Sequence, residues 1–318
     1  MAELIFWIAV FMISLAVLIK ASDYFTEAAE KTGLHLKIPP FIVGATIVGL
    51  GTSLPELVSS ILAVLSGATE IVVGNVVGSN IANILLVLGL TALLGKQIKL
   101  SYARSYADLS FLVGSALLIT LAALDGRFTW PEGLLCTGGL FTYISAIIQR
   151  DRRLVIVGKT GEEGEPGKEK LDPKIILLLL VSPVFIYLGA RYTVAAIIQL
   201  SEIFKIGKEV IAVSAVAIGT SLPELSVSLT AGLRGRPEIA VGNIFGSNIF
   251  NSFAVMGIPS LIKPLAIPGN IIAIGIPTMV GATILYFFVT QDAEISRWEG
   301  VLLLVFYGFF LGKLFNLF

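Results

Sequence analysis

One stretch of this chain occurs twice. GLGTSLPELVSSILAVLSGATEIVVGNVVGSNIANILLVLG, from Gly49 to Gly89, aligns without a gap with AIGTSLPELSVSLTAGLRGRPEIAVGNIFGSNIFNSFAVMG, from Ala217 to Gly257, at a constant shift of 168 residues. A repeat of this kind constrains the architecture before any single motif does, because two copies of one pattern fold alike and must be fitted to one another. Apolar runs long enough to cross a bilayer, about 20 residues each, recur along the whole length, with Gly, Pro and charge clusters as breaks. They mark ten spans at roughly 3–22, 38–64, 71–94, 106–124, 131–149, 173–193, 208–232, 239–262, 270–290 and 298–316. Five spans per copy is an odd number, so the second copy begins on the opposite side of the membrane. The sequence therefore predicts an all-α, polytopic membrane protein with ten transmembrane helices in two inverted five-helix repeats. The repeats are expected at 1–149 and 173–318, with a linker at 150–172.

Composition supports the bilayer as solvent. The chain is 56% hydrophobic and 14% charged, against about 25% charged in an ordinary soluble domain, and its mean hydropathy is +0.91. The linker holds GKTGEEGEPGKEK, too polar and Gly-rich to bury a core. Lys and Arg in short loops favour the cytoplasmic face. With the N-terminus outside, sixteen of the 22 basic residues fall on the inner side and six on the outer. A multi-pass protein of the cell membrane is expected, N-terminus outside and linker cytoplasmic. Zero net charge, with no basic tract interleaved with aromatics, argues against nucleic acid as a partner, and no feature marks an obligate protein partner. The segment from Leu4 to Ile19 is preceded only by the charge of Glu3; lacking a basic n-region, it reads as a retained first span. Cys136 has no second cysteine to pair with, and Leu134 and Leu135 beside it suit a lipid-facing or packed thiol.

Each repeat carries GTSLPEL in the middle of an apolar span. A glutamate at that depth costs a few kcal/mol unless it is compensated, and apart from Lys208 at the outermost edge of 208–232 no Lys or Arg lies within either span or the span that follows. Glu56 and Glu224 must then be neutralised by a bound metal cation or a proton. Thr52, Ser53, Thr220 and Ser221 offer hydroxyl oxygens beside them. Pro55 and Pro223 have no N–H to give the carbonyls of Gly51 and Gly219, which become available. Carboxylate, hydroxyl and carbonyl oxygens are hard ligands suited to Na⁺ and Ca²⁺, whereas the motifs contain no His or Cys for zinc or copper. His35, the sole histidine, falls in an expected cytoplasmic loop. The following spans carry GNVVGSNIAN and GNIFGSNIFN. Gly74 with Gly78, and Gly242 with Gly246, form GxxxG pairs that let backbones approach. Packing alone leaves unexplained Ser79, Asn80 and Asn83, and Ser247, Asn248 and Asn251, which put polar groups at membrane depth. Asn83 lies four residues past Ser79, and Asn251 four past Ser247, so each pair shares a helix face. Inverted repeats bring such segments together near the midplane, where two glutamates give a charge of −2 that one Ca²⁺ or two Na⁺ would balance.

These motifs resemble the alpha repeats of the sodium/calcium exchanger family of cation/calcium antiporters, over both halves and about 90 residues of motif. The resemblance implies ten helices, the N-terminus outside, and ion sites between the second, third, seventh and eighth spans. It implies Glu56 and Glu224 as the calcium carboxylates, aided by Thr52 and Thr220. It further implies flanking sodium sites from Ser53, Ser221, Ser79 and Ser247, with backbone carbonyls near Gly49 and Ala217. Some archaeal exchangers and the potassium-dependent branch carry aspartate where this chain has Asn251, whose repeat mate is Asn83; two formal charges remain instead of three, which argues against potassium cotransport. The proton-coupled branch typically has asparagine in place of the first Thr-Ser pair, whereas both pairs are intact here. The short linker leaves no room for large calcium-sensing domains. Exchange of Na⁺ for Ca²⁺ by alternating access is the expected function, with the ions as cargo and no resident cofactor.

Three other functions compete. A calcium/proton antiporter would use the same scaffold, with H⁺ carried by Glu56 and Glu224. A cation channel could use the same oxygens, but channels generally build pores from symmetric subunits or parallel repeats. An intramembrane enzyme would need a metal cluster or a Ser–base pair that the spans do not offer.

Overall fold

The computed structural model describes residues 2–95, 98–100, 106–156, 172–203, 221–292 and 294–315. Among them are ten helices: α1 (Ala2–His35), α2 (Pro40–Leu65), α3 (Thr69–Leu94), α4 (Tyr106–Ala122), α5 (Trp130–Ile156), α6 (Pro173–Ile203), α7 (Leu222–Leu233), α8 (Pro237–Ile262), α9 (Ile271–Gln291) and α10 (Arg297–Leu314). The shift of 168 carries the ends of the first-half helices onto those of the second: Leu65, Thr69 and Leu94 map onto Leu233, Pro237 and Ile262. The two hairpin turns are built alike. Gly67 between α2 and α3 has φ +89° and its mate Gly235, between α7 and α8, has φ +77°, a left-handed conformation that favours glycine. Starts are marked in the usual ways, Pro40 and Pro237 lying in first turns and Ser296 with Glu299 forming a capping box at α10.

Four two-residue strands record the inversion. β1 (Ile98–Lys99) follows α3, β2 (Arg127–Phe128) follows α4, β3 (Leu265–Ala266) follows α8 and β4 (Glu294–Ile295) follows α9. By the repeat, β1 is the mate of β3 and β2 the mate of β4. The pairs that form are different: β1 is antiparallel to β4 with Ile98 opposite Ile295, and β2 is antiparallel to β3 with Phe128 opposite Leu265. Six described helices separate β1 from β4 and four separate β2 from β3, even numbers that return the chain to the same face. Five separate β1 from its own mate. Each sheet thus ties loops of one membrane face, and the mates sit on opposite faces.

Ion pairs follow the same rule. Arg234, in the turn between α7 and α8, bonds Asp23 at 2.8 Å, and Arg236 pairs with Glu30. Both carboxylates belong to the last part of α1, six helices away from that turn.

Helices α3 and α8 run through the interior, with 78% and 94% of their most apolar stretches buried, while α1 and α6 are peripheral at 17% and 22%. α1 and α6 pack on each other, Gly189 against the backbone of Leu18, with Ser14 and Thr193 hydrogen-bonded at 2.9 Å. A belt of large apolar side chains faces outward, among them Phe6, Leu62, Phe141, Leu180 and Phe288, as lipid solvation requires.

Several boundaries differ from the sequence reading. α1 continues thirteen residues past 22 to His35, through a charged stretch braced by a Lys31–Glu27 pair at 2.7 Å. α5 runs to Ile156, into the stretch expected as linker, because no glycine or proline interrupts the chain before Gly158; residues 157–171 lie outside the described residues. His35 is exposed at the end of α1, and Cys136 is buried against Gly257. Pro55 does not interrupt α2, which passes straight through it. One lost N–H is tolerated where neighbouring helices enclose the segment. The irregular turns lie elsewhere: π-turns occur at Gly44–Val48, Ala82–Leu88, Asn251–Val255 and Ile271–Gly275.

Candidate ion-binding site

On α2, Thr52, Glu56 and Ser60 follow one another at intervals of four and share a buried face, with Ser53 and Gly49 beside them. On α7, Ser221 is the N-cap, Glu224 lies in the first turn and Ser228 one turn further on, all buried. α3 carries Asn75 and Ser79, and α8 carries Asn243 and Ser247, again four apart. Asn83 and Asn251 fall inside the π-turns that follow, where the wider helical turn re-aims side chains and often marks function.

The structure joins the two halves at these faces. Ser53 Oγ donates to Glu224 Oε1 at 3.3 Å, and Thr52 Oγ1 meets Ser247 Oγ at 3.3 Å and Asn243 Oδ1 at 3.2 Å. The carbonyl of Gly49 accepts from Thr52 at 3.4 Å and from Ser247 at 3.5 Å. The carboxyls of Glu56 and Glu224 lie within side-chain interaction range of each other. Among the described residues neither is met by a cation: the α1 ion pairs described above involve neither glutamate, and both oxygens of Glu56 and Oε2 of Glu224 are buried with no hydrogen-bond partner. The amide oxygen and nitrogen of both Asn83 and Asn251, and the hydroxyl of Ser221, are likewise buried and unpartnered.

Buried polar atoms are almost always satisfied, so a group of unpartnered acceptors asks for an explanation. A cation answers it. Among the described residues no three His, Cys, Asp or Glu gather, so any ion would be held by the two carboxylates together with neutral oxygens, a donor set for hard ions.

Of the twelve residues singled out by sequence, Gly49, Thr52, Ser53, Glu56, Ser79, Asn83, Ser221, Glu224, Ser247 and Asn251 are described and, Gly49 included, buried. Ala217 and Thr220 lie outside the described residues, as does Gly219. Sequence reasoning missed Asn243 and Ser228, linked at 2.8 Å, and their mates Asn75 and Ser60, linked at 3.3 Å. The signal was present: the interval of four that ties Asn83 to Ser79 reaches one turn back to Asn75, and that from Thr52 to Glu56 reaches one turn on to Ser60. Asn80 is engaged elsewhere, donating to Ser252 at 3.0 Å, and Asn248 donates to its own helix at Ile244.

Comparison with known proteins agrees in family and fold. The sequence profile of the family described as sodium/calcium exchanger protein matches residues 6–149 and 174–315. The sodium/calcium exchanger MaX1 of Methanosarcina acetivorans is 34% identical over 96% of this chain and 97% of its own. Inner membrane protein YrbG of Escherichia coli is 33% identical over 80% of each chain. Among solved structures, the sodium-calcium exchanger NCX_Mj, soaked with zero Na⁺ and Ca²⁺, superposes with a TM-score of 0.81 at 28% identity, covering 98% of this chain and 99% of that one.

Proposed function

Since the chain belongs to the sodium/calcium exchanger family, a family of membrane transporters rather than of enzymes, we propose that it moves Ca²⁺ against Na⁺ by alternating access. In this reading Glu56 and Glu224 hold the calcium ion, with Thr52 and Thr220 beside them. Ser53, Ser79, Ser221 and Ser247, with the carbonyls at Gly49 and Ala217, hold sodium, and Asn83 and Asn251 line the same space. The observation that carries it is the pair of buried carboxylates on the two repeats: Glu224 accepts from Ser53 of the opposite repeat, Glu56 has both oxygens unpartnered, and among the described residues neither meets a basic residue.

Coupling follows from electrostatics. An empty site of charge −2 is costly in a closed, dry intermediate. One Ca²⁺ or two Na⁺ removes that charge, so only loaded forms alternate, and movement of one ion is tied to return of the other. The two five-helix halves, 1–149 and 173–318, are the moving frame; the N-terminus faces outside and 150–172 the cytoplasm. A buried acid pair can also share one proton, so H⁺ is the alternative coupling ion.

Radioactive calcium uptake into proteoliposomes loaded with sodium, potassium or acid, at clamped potential, separates these readings. Uptake driven by the outward sodium gradient and abolished in Glu56→Gln is the expected result. Uptake driven by the proton gradient alone would make the protein a calcium/proton antiporter.

A further inference from the structure

Asn243 stands outside the expected ligand set yet touches two members of it. Its Oδ1 accepts from Thr52 Oγ1 at 3.2 Å and from Ser247 Oγ at 3.4 Å. Its Nδ2 donates to Ser228 Oγ at 2.8 Å. All four side chains are buried; among the described residues Ser228 is hydrogen-bonded to neither glutamate, and its other bond is a 3.5 Å contact to the carbonyl of Ala240.

A hydroxyl can ligate a cation only with a lone pair, so its proton must point elsewhere. Thr52 and Ser247 have two such protons, and an amide oxygen has two lone pairs. Asn243 Oδ1 can take both. The other acceptors in reach among the described residues are the Gly49 carbonyl, at 3.4 Å and 3.5 Å, and, for Thr52, the Glu224 carboxylate, both of which the ion reading needs as ligands. The orientation of the amide decides the outcome. With the amide reversed, Nδ2 would donate to the two hydroxyls, occupy one lone pair of each and leave their protons to turn towards the ion or the Gly49 carbonyl. Ser228 holds the productive orientation by accepting from Nδ2 while its own proton is directed to the carbonyl of Ala240 at 3.5 Å. The repeat supplies the donor half of this lock once more, Asn75 Nδ2 donating to Ser60 Oγ at 3.3 Å, while Asn75 Oδ1 meets no partner among the described residues.

We propose that Asn243, oriented by Ser228, is a positioning residue that draws the protons of Thr52 and Ser247 away from the ion so that both hydroxyls and the Gly49 carbonyl face it with lone pairs. The proposal rests on the reading of Thr52, Ser247 and Gly49 as ion ligands. Residues that orient metal ligands typically change affinity 10–100-fold when removed.

The test is calcium uptake by full-length protein in proteoliposomes, measured against internal sodium concentration. Asn243→Ala is expected to raise the half-saturating sodium concentration by about 10–100-fold with the maximal rate retained. Ser228→Ala, which reaches the ions only through Asn243, is expected to raise it several-fold, and Ser228→Thr, which restores a hydroxyl, to bring it back. A general packing defect would lower the maximal rate or the yield of folded protein without this rescue. If Asn243→Ala aggregates, Ser228→Ala decides: a several-fold shift supports the proposal and a value within twofold of wild type overturns it. Ser247→Ala separates the two levels. If it weakens sodium binding while Asn243→Ala and Ser228→Ala do not, the positioning role fails and the ligand reading stands. If Ser247→Ala itself leaves sodium dependence unchanged, the ligand reading fails and the proposal with it.

Discussion

A carboxylate pair with no cation beside it among the described residues makes thermal stability a reporter of ion binding. An ion that binds the folded protein and not the unfolded chain stabilises it by about 2.7 kcal/mol at a concentration one hundred times its dissociation constant. Wild-type protein in detergent should therefore unfold at higher temperature when calcium is added, and Glu56→Gln, which removes the charge at nearly constant shape, should lose that increment. An equal calcium-dependent rise in both would mean that Glu56 holds no calcium. At this scale the sequence was most informative where a residue conflicts with its surroundings. Glu56 and Glu224 are unmistakable in apolar spans, and the hydroxyls of Ser53 and Ser247 do meet the opposite repeat. Asn243 and Ser228 escaped notice for the converse reason: each satisfies the other at 2.8 Å, and only the three-dimensional contact with Thr52 reveals what the pair can do.

At the scale of helices, the first π-turn of α2 and the glycines of α8 form one joint. A Cβ on Gly246 would lie 2.1 Å from the carbonyl oxygen of Ala45, and one on Gly242 2.2 Å from that of Phe41. Backbone cannot yield as a side-chain tip can. Gly246→Ala should therefore destabilise the fold by at least about 1–3 kcal/mol. Gly281, exposed in α9 with nothing within 4 Å of an added Cβ, is the control: Gly281→Ala should be neutral or stabilising by roughly 0.5–1 kcal/mol, the helix penalty of glycine. Similar melting temperatures for the two variants would contradict the close contact. The GxxxG spacing announced this approach at Gly242 and Gly246, but the expectation fails at their repeat mates: a Cβ added to Gly74 or Gly78 would meet nothing within 4 Å among the described residues. The π-turns were not legible. GATIV and ANILLVL are apolar enough to read equally well as α-helix, because a change of helical period leaves no trace where every neighbour is hydrophobic. Pro55 was the more conspicuous signal and the less disruptive one, α2 running through it while the turn widened at Gly44–Val48.

For the whole molecule, the gapless repeat and the bias of basic residues already imply inversion, and the strand pairs give it a physical form. Which loops join could not be read from residues such as Ile98 and Ile295, whose two-residue strands are too short to carry a pattern. Their pairing depends on the count of helices between them. The same parity argument yields a test of orientation. His35, exposed at the end of α1, and Lys263, exposed at the end of α8, are separated by seven helices, so they must face opposite sides of the membrane. With the N-terminus outside, Lys263→Cys should react in intact cells with a membrane-impermeant maleimide, and His35→Cys only after the membrane is opened. Cys136 is fully buried and should leave the parent protein unlabelled, so no cysteine-free background is needed. The reverse pattern would keep the inverted fold and turn it over in the membrane, making the polar linker external. Labelling of both positions from one side would break the odd count between them, and with it the inversion on which the proposed site between Glu56 and Glu224 depends.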